Sequence, residues 1–486
     1  MTIGFPASMM SDDQTREWSK AMQRAGSKYI GDRAFYRRLM RIATPIMLQN
    51  GITSLVSLLD NVMVGAVGTE QMTGVSIVNQ MIFVFSLCIF GGLSGAGIFT
   101  AQFFGRGDHE GIRATFRFKL LLAGALTLLG VLILGRYGDH LIGLYLHEGG
   151  QTGDLQATAA HGKAYLTLML WGLAPFALQQ VYASTLRECG EAVAPMKAGL
   201  AAIVVNLALN YVFIFGHFGA PRMGAAGAAL ATVIARFVEC ALILRWTWRQ
   251  RMGSAAYLAG VYRTMRVPLP LVRQIVVRGM PLLVNESLWS AGMATLTQSF
   301  SVRGLAAIAA LNIASTIVNL FSIVWMSMGS AASILVGQEL GAGLFDRARQ
   351  TAWRILAFAL AYALGIGVVV SLFSPLFPML YQTSDEVRGL ATSFIRITML
   401  AAILPAFANV TYFTLRAGGR TWITFLFDSV MLWTLRIPLV RYLAFLTDMP
   451  VVEIYLFSTL VDLAKCTLGY VLVRRGVWVR NIVSEG

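Results

Sequence analysis

Long, nearly unbroken apolar runs dominate this chain, separated by short polar stretches. A helix needs about 20 apolar residues to cross roughly 30 Å of hydrocarbon. Runs of that order follow one another along the whole chain after residue 41. Twelve are distinguishable, at 42–67, 74–104, 115–135, 161–185, 195–217, 223–244, 274–300, 305–338, 353–373, 390–415, 421–440 and 451–473. The pattern predicts an all-α polytopic membrane protein of about twelve transmembrane helices.

Composition agrees: 56% of the residues are apolar, 13% are charged and the mean hydropathy is +0.65, far from a water-soluble domain. The net charge of +15 would suggest a nucleic-acid partner in a soluble protein, so its distribution decides. With the N-terminus in the cytosol, 29 of the 39 Lys and Arg fall on the cytosolic side and six outside. This is the positive-inside asymmetry of a membrane protein, not a polyanion-binding stripe. Both termini are expected to be cytosolic in a bacterial-type inner membrane, with no nucleic-acid partner. Residues 1–41 read as a basic cytosolic tail, either plainly topogenic or an amphipathic arm on the lipid surface, and 474–486 as a second tail. Cys88, Cys189, Cys240 and Cys466 lack metal or redox spacing and read as free thiols, and His140 with His147 lacks the spacing of a metal pair.

The chain also repeats itself with an offset near 236 residues. Pro45 answers to Pro281 and, with a short gap, Asn79 to Asn312. Gln102, Gly105, Gly107, Arg113 and Thr115 match Gln338, Gly341, Gly343, Arg349 and Thr351, and PFALQQVYASTLREC (175–189) parallels PAFANVTYFTLRAG (405–418). Six helices per repeat return the chain to the side it started from, so the halves are expected to be related by an axis along the membrane normal. The expected layout is an N-lobe over 42–245, a cytosolic linker over 246–273 with Pro268 and Pro270, and a C-lobe over 274–473. Rocking of the lobes would expose a central cleft to each side in turn.

The ordered motifs resemble a known family, the multidrug and toxic compound extrusion transporters, from about residue 40 to 480. They are Pro45, Asp60 and Gly65 of the first helix, GRGD (105–108), LREC-G-E (186–191), MGAAGAALATVIAR (223–236), GMP with Glu286 (279–286) and IPL (437–439). The resemblance implies export of bulky, often cationic and aromatic compounds in exchange for inward H⁺ or Na⁺, through two six-helix lobes.

Candidate chemistry lies in polar groups stranded inside these runs. Asp60 falls roughly 10 Å from the outer end of the first helix. Asn206 and Asn210 are one turn apart, and Thr232 sits at a comparable depth, so the four could form an oxygen-rich site that ligates Na⁺ or takes up a proton. Interhelical hydrogen bonding is the alternative role for the asparagines. The resemblance points to Asp60, Asn206 and Thr232 as an N-lobe cation site, with Asn210 where some relatives carry a second Asp, which puts a two-carboxylate relay in doubt. In the C-lobe, Glu286 lies near the midplane without a local cationic partner. It resembles the acidic residue of sodium-coupled relatives, whose companion Asp is replaced here by Arg420. Asp428 either substitutes for that Asp or pairs with Arg436. Arg236 with Glu239, and Asp462 with Lys465, have the spacing of self-paired charges. Pro45 and Pro281 are candidate hinges or static kinks.

The expected function is therefore a monomeric multidrug antiporter of small organic compounds in the lipid bilayer, needing no cofactor beyond its coupling ion. A flippase for lipid-linked precursors or polysaccharides is the alternative, disfavoured because few basic residues lie inside the lobes. An intramembrane enzyme would need a motif such as HExxH, and a receptor would need a soluble signalling domain; neither is present in the sequence.

Overall fold

The computed structural model describes residues 29–146 and 154–484. Most of the expected N-terminal tail, His147 and the last two residues lie outside the described residues. Every span expected from the sequence is helical, and among the described residues no strand forms. The N-lobe comprises α1 (Arg33–Gly65), α2 (Thr69–Arg106), α3 (His109–Gly143), α4 (Leu155–Trp171), α5 (Leu173–Glu188), α6 (Val193–Phe215) and α7 (Ala225–Arg249). The C-lobe comprises α8 (Leu269–Ser301), α9 (Leu305–Gly341), α10 (Phe345–Leu372), α11 (Asp385–Leu400), α12 (Ile403–Ala417), α13 (Thr421–Leu446) and α14 (Val451–Arg475).

Among the described residues these fourteen helices make twelve crossings because the fourth crossing of each lobe is broken, α4 with α5 and α11 with α12. The second pair bends by 52°. Pro175 and Pro405, matched by the repeat, each stand third in the helix after the break. In the first turn proline's missing N–H leaves no bond unmade, so the break falls where the ring is tolerated. Eight of the other helices are long and apolar enough to span by themselves. The more polar α1 and α8 complete the set, α1 packing on α6 and α9, and α8 on α2. Within α13, residues Leu426–Arg436 wind largely as π turns. Pro438, which follows, has no N–H to offer the carbonyl four residues back, and the ladder loosens there.

The halves meet as a pseudo-twofold predicts. Gly107 closes α2 with φ 78° and Gly343 follows α9 with φ 75°, left-handed conformations that glycine adopts without strain. Asp108 then caps α3, accepting from Gly111 N at 2.9 Å. Two residues before Gly107 and Gly343, a Cβ on Gly105 would strike the Gln338 carbonyl, and a Cβ on Gly341 would strike the Gln102 carbonyl. Since 102 matches 338 and 105 matches 341, this is one contact made twice.

The glutamines repeat it in side-chain form. Gln102 Nε2 donates to Ala417 O at 3.0 Å and Gln338 Nε2 to Glu188 O at 2.8 Å, the acceptors being the residues that follow the matched Arg416 and Arg187. Both latches lie at the bundle end that carries Tyr29 and Ser484, called the terminal face below.

Two straps reinforce that face. Helix α1 begins at Arg33, several residues before the expected span, because Leu39, Ile42, Ala43 and Ile46 bury against Met328, Ala331, Leu335 and Ile355 of the other lobe. Arg38 pairs with the buried Glu339 at 2.8 Å. After α14, buried Trp478 packs on Gly418, Ile482 N donates to Gln102 Oε1 at 2.9 Å and Arg106 donates to Val483 O at 2.7 Å. Away from the seam, Leu128, Leu132, Leu364 and Leu372 are 58% or more exposed, as lipid-facing side chains are in such a fold.

Candidate functional site

Helices α1, α6 and α7 bring the four N-lobe residues together. Asn206 and Asn210, four apart and both buried, share one face of α6. Asn210 Nδ2 donates to Asp60 Oδ1 at 2.7 Å and to Asn206 Oδ1 at 3.4 Å. Asn206 Nδ2 donates to Thr232 Oγ1 at 3.3 Å, and that hydroxyl donates to Ala228 O at 2.9 Å. The amide donors are spent on this chain, and the Asn210 Oδ1 oxygen is left buried without a hydrogen-bond partner. An unpaired acceptor beside a carboxylate is the donor set a hard cation or a proton-bearing group would complete. Nearby, Tyr165 donates to Asn79 Oδ1 at 3.1 Å, tying α2 to α4 behind this chain.

A cavity of about 460 Å³ opens between the lobes. Its apolar wall includes Ile89, Phe90, Leu93, Phe176 and Phe413, and its polar wall Gln49, Asn50, Gln179, Arg187, Glu188, Glu239 and Arg416. Volume and lining are those of a pocket for a drug-sized molecule. Lys119, fully buried, reaches Glu188 at 2.5 Å and the Thr185 hydroxyl at 3.2 Å from behind this wall. Glu239 Oε1 accepts from Gln179 at 2.8 Å and makes no ion pair with a described residue.

In the C-lobe, Asn285 Nδ2 donates to Asp428 Oδ2 at 3.1 Å and Ser429 Oγ to Asn285 Oδ1 at 2.7 Å. Lys465 of α14 is paired with the other Asp428 oxygen. Glu286, one residue beyond Asn285, is half-buried against Gly91 of α2 and makes no hydrogen bond among the described residues. Pro45 and buried Pro281 lie inside continuous helices that neither interrupts.

Several sequence expectations change here. Asp462 and Lys465 are not paired with each other: Lys465 takes Asp428, and Arg436 takes Asp462 at 3.9 Å. Of the two alternatives for Asp428, pairing with Arg436 therefore does not form, because α14 presents two opposite charges to α13 and each finds the nearer partner. Arg236 does not pair with Glu239. It donates to Gly172 O at 3.3 Å and lies over the Phe176 ring. Arg420 stands away from any site and donates to Val477 O at 3.1 Å, anchoring the C-terminal strap.

Lys119 is a buried ion-pair member and not a loop charge. Its place inside FRFKLLLAG, at the edge of an apolar run, was the available signal. Arg187 and Arg416 line the cavity, so basic residues do lie inside the lobes. Glu188 and Glu239 match them in number on the same wall.

Comparison with known proteins adds an independent line. The sequence model of the MatE family matches residues 45–212 and 281–440, one segment in each lobe. A probable multidrug resistance protein NorM of Bradyrhizobium diazoefficiens is 27% identical over 428 residues, covering 86% of this chain and 88% of its own length. The MdtK multidrug resistance protein of Pectobacterium atrosepticum is 25% identical over 418 residues, 85% and 88% of the two chains. A solved mutant of the Vibrio cholerae MATE transporter VcmN superposes with a TM-score of 0.81 at 18% identity, covering 92% of this chain and 98% of that one, and so shares the fold.

Proposed function

We propose, from the premise that this chain belongs to the MatE family and is a multidrug efflux transporter and not an enzyme, that it works as a secondary antiporter. It exchanges small organic compounds, often cationic, for H⁺ or Na⁺ by alternating access. The carrying observation is the chain Asp60–Asn210–Asn206–Thr232 with its unpaired Asn210 oxygen, set beside an inter-lobe cavity of drug size. Cation uptake there, with Glu286 as a further carboxylate, biases the lobes toward the form that releases substrate outward. A ligand shifts such an equilibrium only by its unequal affinity for the two forms. The chain acts as a monomer in a bacterial inner membrane with the terminal face cytosolic, and needs no cofactor besides the coupling ion. Flipping of a polyanionic lipid headgroup is the weaker reading, since beside its two arginines the cavity presents the Glu239 carboxylate and an apolar wall of Ile89, Phe90, Leu93, Phe176 and Phe413.

Proteoliposomes holding an organic cation, with a proton or a sodium gradient imposed separately, test this reading. One gradient should drive efflux, and Asp60→Asn should abolish the gradient dependence. Efflux that ignores both gradients, or is intact in Asp60→Asn, would overturn it.

A further inference from the structure

Both lobes carry the same chemical triad inside the membrane. In the N-lobe a carboxylate, amides and a hydroxyl line up as Asp60, Asn210, Asn206 and Thr232. In the C-lobe the Asp428 carboxylate accepts from Asn285 at 3.1 Å, and the Asn285 amide also reaches the Tyr412 hydroxyl at 3.4 Å and accepts from Ser429 at 2.7 Å. Either set is a ligand shell for a small monovalent cation. The lobes differ on the remaining side of the carboxylate. Asp60 has no ion-pair partner among the described residues. Asp428 meets the Lys465 ammonium, which also sits 5.4 Å from the centre of the Phe427 ring and leaves only 19% of the Lys465 side chain and 18% of the Asp428 side chain exposed.

We propose that Lys465 is a tethered cation that fills the C-lobe ion site, so that Asp428 binds neither Na⁺ nor a transported proton and the N-lobe alone holds the exchangeable ion in these two shells. An ammonium carries one positive charge with hydrogen-bond donors where a bound ion would carry the same charge bare. Arg436 does not compete for Asp428, because Ser458 at 3.0 Å and Asp462 at 3.9 Å hold it to one side. In the π-wound stretch of α13, Asp428 meets both Lys465 and Asn285, and the next residue, Ser429, donates to Asn285. A small cavity of about 40 Å³ lies beside them, lined by Trp289, Asp428, Arg436, Asp462 and Lys465.

This inference rests on the cation-coupled reading, and its test separates the two. Full-length protein in nanodiscs is titrated with ²²Na⁺ in an Asp60→Asn background, which removes the N-lobe carboxylate. There the protein with Lys465 should bind no Na⁺ that depends on Asp428, and Lys465→Met should gain one further saturable equivalent that disappears again in Asp428→Asn/Lys465→Met. Sodium binding that is present with Lys465 in place and lost in Asp428→Asn would overturn the proposal, as would a folded Lys465→Met that gains none.

Because a lone Asp428 can unfold the lobe, the neutral pair Asp428→Asn/Lys465→Met in an otherwise unaltered protein is the second measurement. It should keep the melting temperature and gradient-driven efflux within twofold, since a buried pair is replaced as a unit. A tenfold loss of efflux with unchanged melting would also overturn the proposal. Efflux that ignores Asp60→Asn would instead fault the cation-coupled reading, whatever the ²²Na⁺ titration shows.

Discussion

Gln102 and Gln338 make the same latch from opposite lobes but with unequal strength, and the inequality can be measured. Gln102 Nε2 donates to Ala417 O and to Arg480 O, at 3.0 and 3.3 Å, and Oε1 accepts from Ile482 N at 2.9 Å. The first joins the two lobes directly, and the other two tie α2 to the C-terminal strap that packs on the C-lobe. Gln338 makes one good inter-lobe bond, to Glu188 O at 2.8 Å, and accepts a long one of 3.5 Å from Arg38. At ~1 kcal/mol net per good bond, Gln102→Ala weakens closure of the terminal face by about 3 kcal/mol and Gln338→Ala by about 1 kcal/mol. With 1.4 kcal/mol per tenfold, the open-to-closed ratio should rise roughly a hundredfold in the first and about fivefold in the second. Spin labels on cysteines placed at exposed His109 and Asp346, with the four native cysteines replaced, would report the inter-lobe distance in nanodiscs. The long-distance population should grow in the order unaltered protein, Gln338→Ala, Gln102→Ala. If Gln338→Ala opened the face more than Gln102→Ala, or if neither changed the distribution, the latch would carry no weight in closure.

Three further outcomes follow from the same contacts. Gly341→Ala drives a methyl into the Gln102 carbonyl, a backbone atom that cannot rotate away, and should lower stability by about 1–3 kcal/mol and shift the same label distance, while alanine at the open Gly365 should do neither. Lys119→Met strands Glu188 inside the N-lobe and should destabilise by about 3–5 kcal/mol in thermal unfolding, with Lys119→Met/Glu188→Gln recovering most of it. Glu239→Gln removes a cavity carboxylate that forms no direct ion pair with a described residue, so equilibrium dialysis should show a cationic solute bound about tenfold more weakly, one charge-assisted bond, and a neutral solute of equal size bound as before.

What could be read in the sequence divides by the range of the interaction. Helices were legible because a lipid-crossing span is set by a local run of apolar residues, and all twelve expected spans coincide with helices or broken pairs. The N-lobe chain was legible in part, because Asn206 and Asn210 lie on one helical face and Asp60 and Thr232 could be ranged by depth. The bonds joining them span up to 150 residues, beyond any local pattern. Ion pairing was misread for the same reason. A spacing of three along α14 allows Asp462 and Lys465 to meet, but Asp428 and Arg436 on α13 offer partners across the helix pair that sequence spacing cannot rank. Gln102 and Gln338 were visible as repeat landmarks, yet only the fold shows that each reaches the end of the other lobe's fourth crossing.

The repeat is kept where backbones touch and lost at the interior carboxylates, and that division has a mechanical cause. Closing one face of two bundles related by a twofold axis brings equivalent surfaces together, so any residue admitted at Gly105 constrains Gly341 as well. Backbone-to-backbone approach at that distance leaves room only for glycine, whereas the matched turns at Gly107 and Gly343 call for glycine through their positive φ alone. Charges inside each lobe face no such pairing, because Asp60 and Asp428 never meet their counterparts. Each need only be satisfied within its own bundle, by amide in one and by ammonium in the other. A duplicated scaffold can thus keep one symmetric closing motion while its two interior sites diverge, one open to a passing ion and the other closed by a side chain of its own.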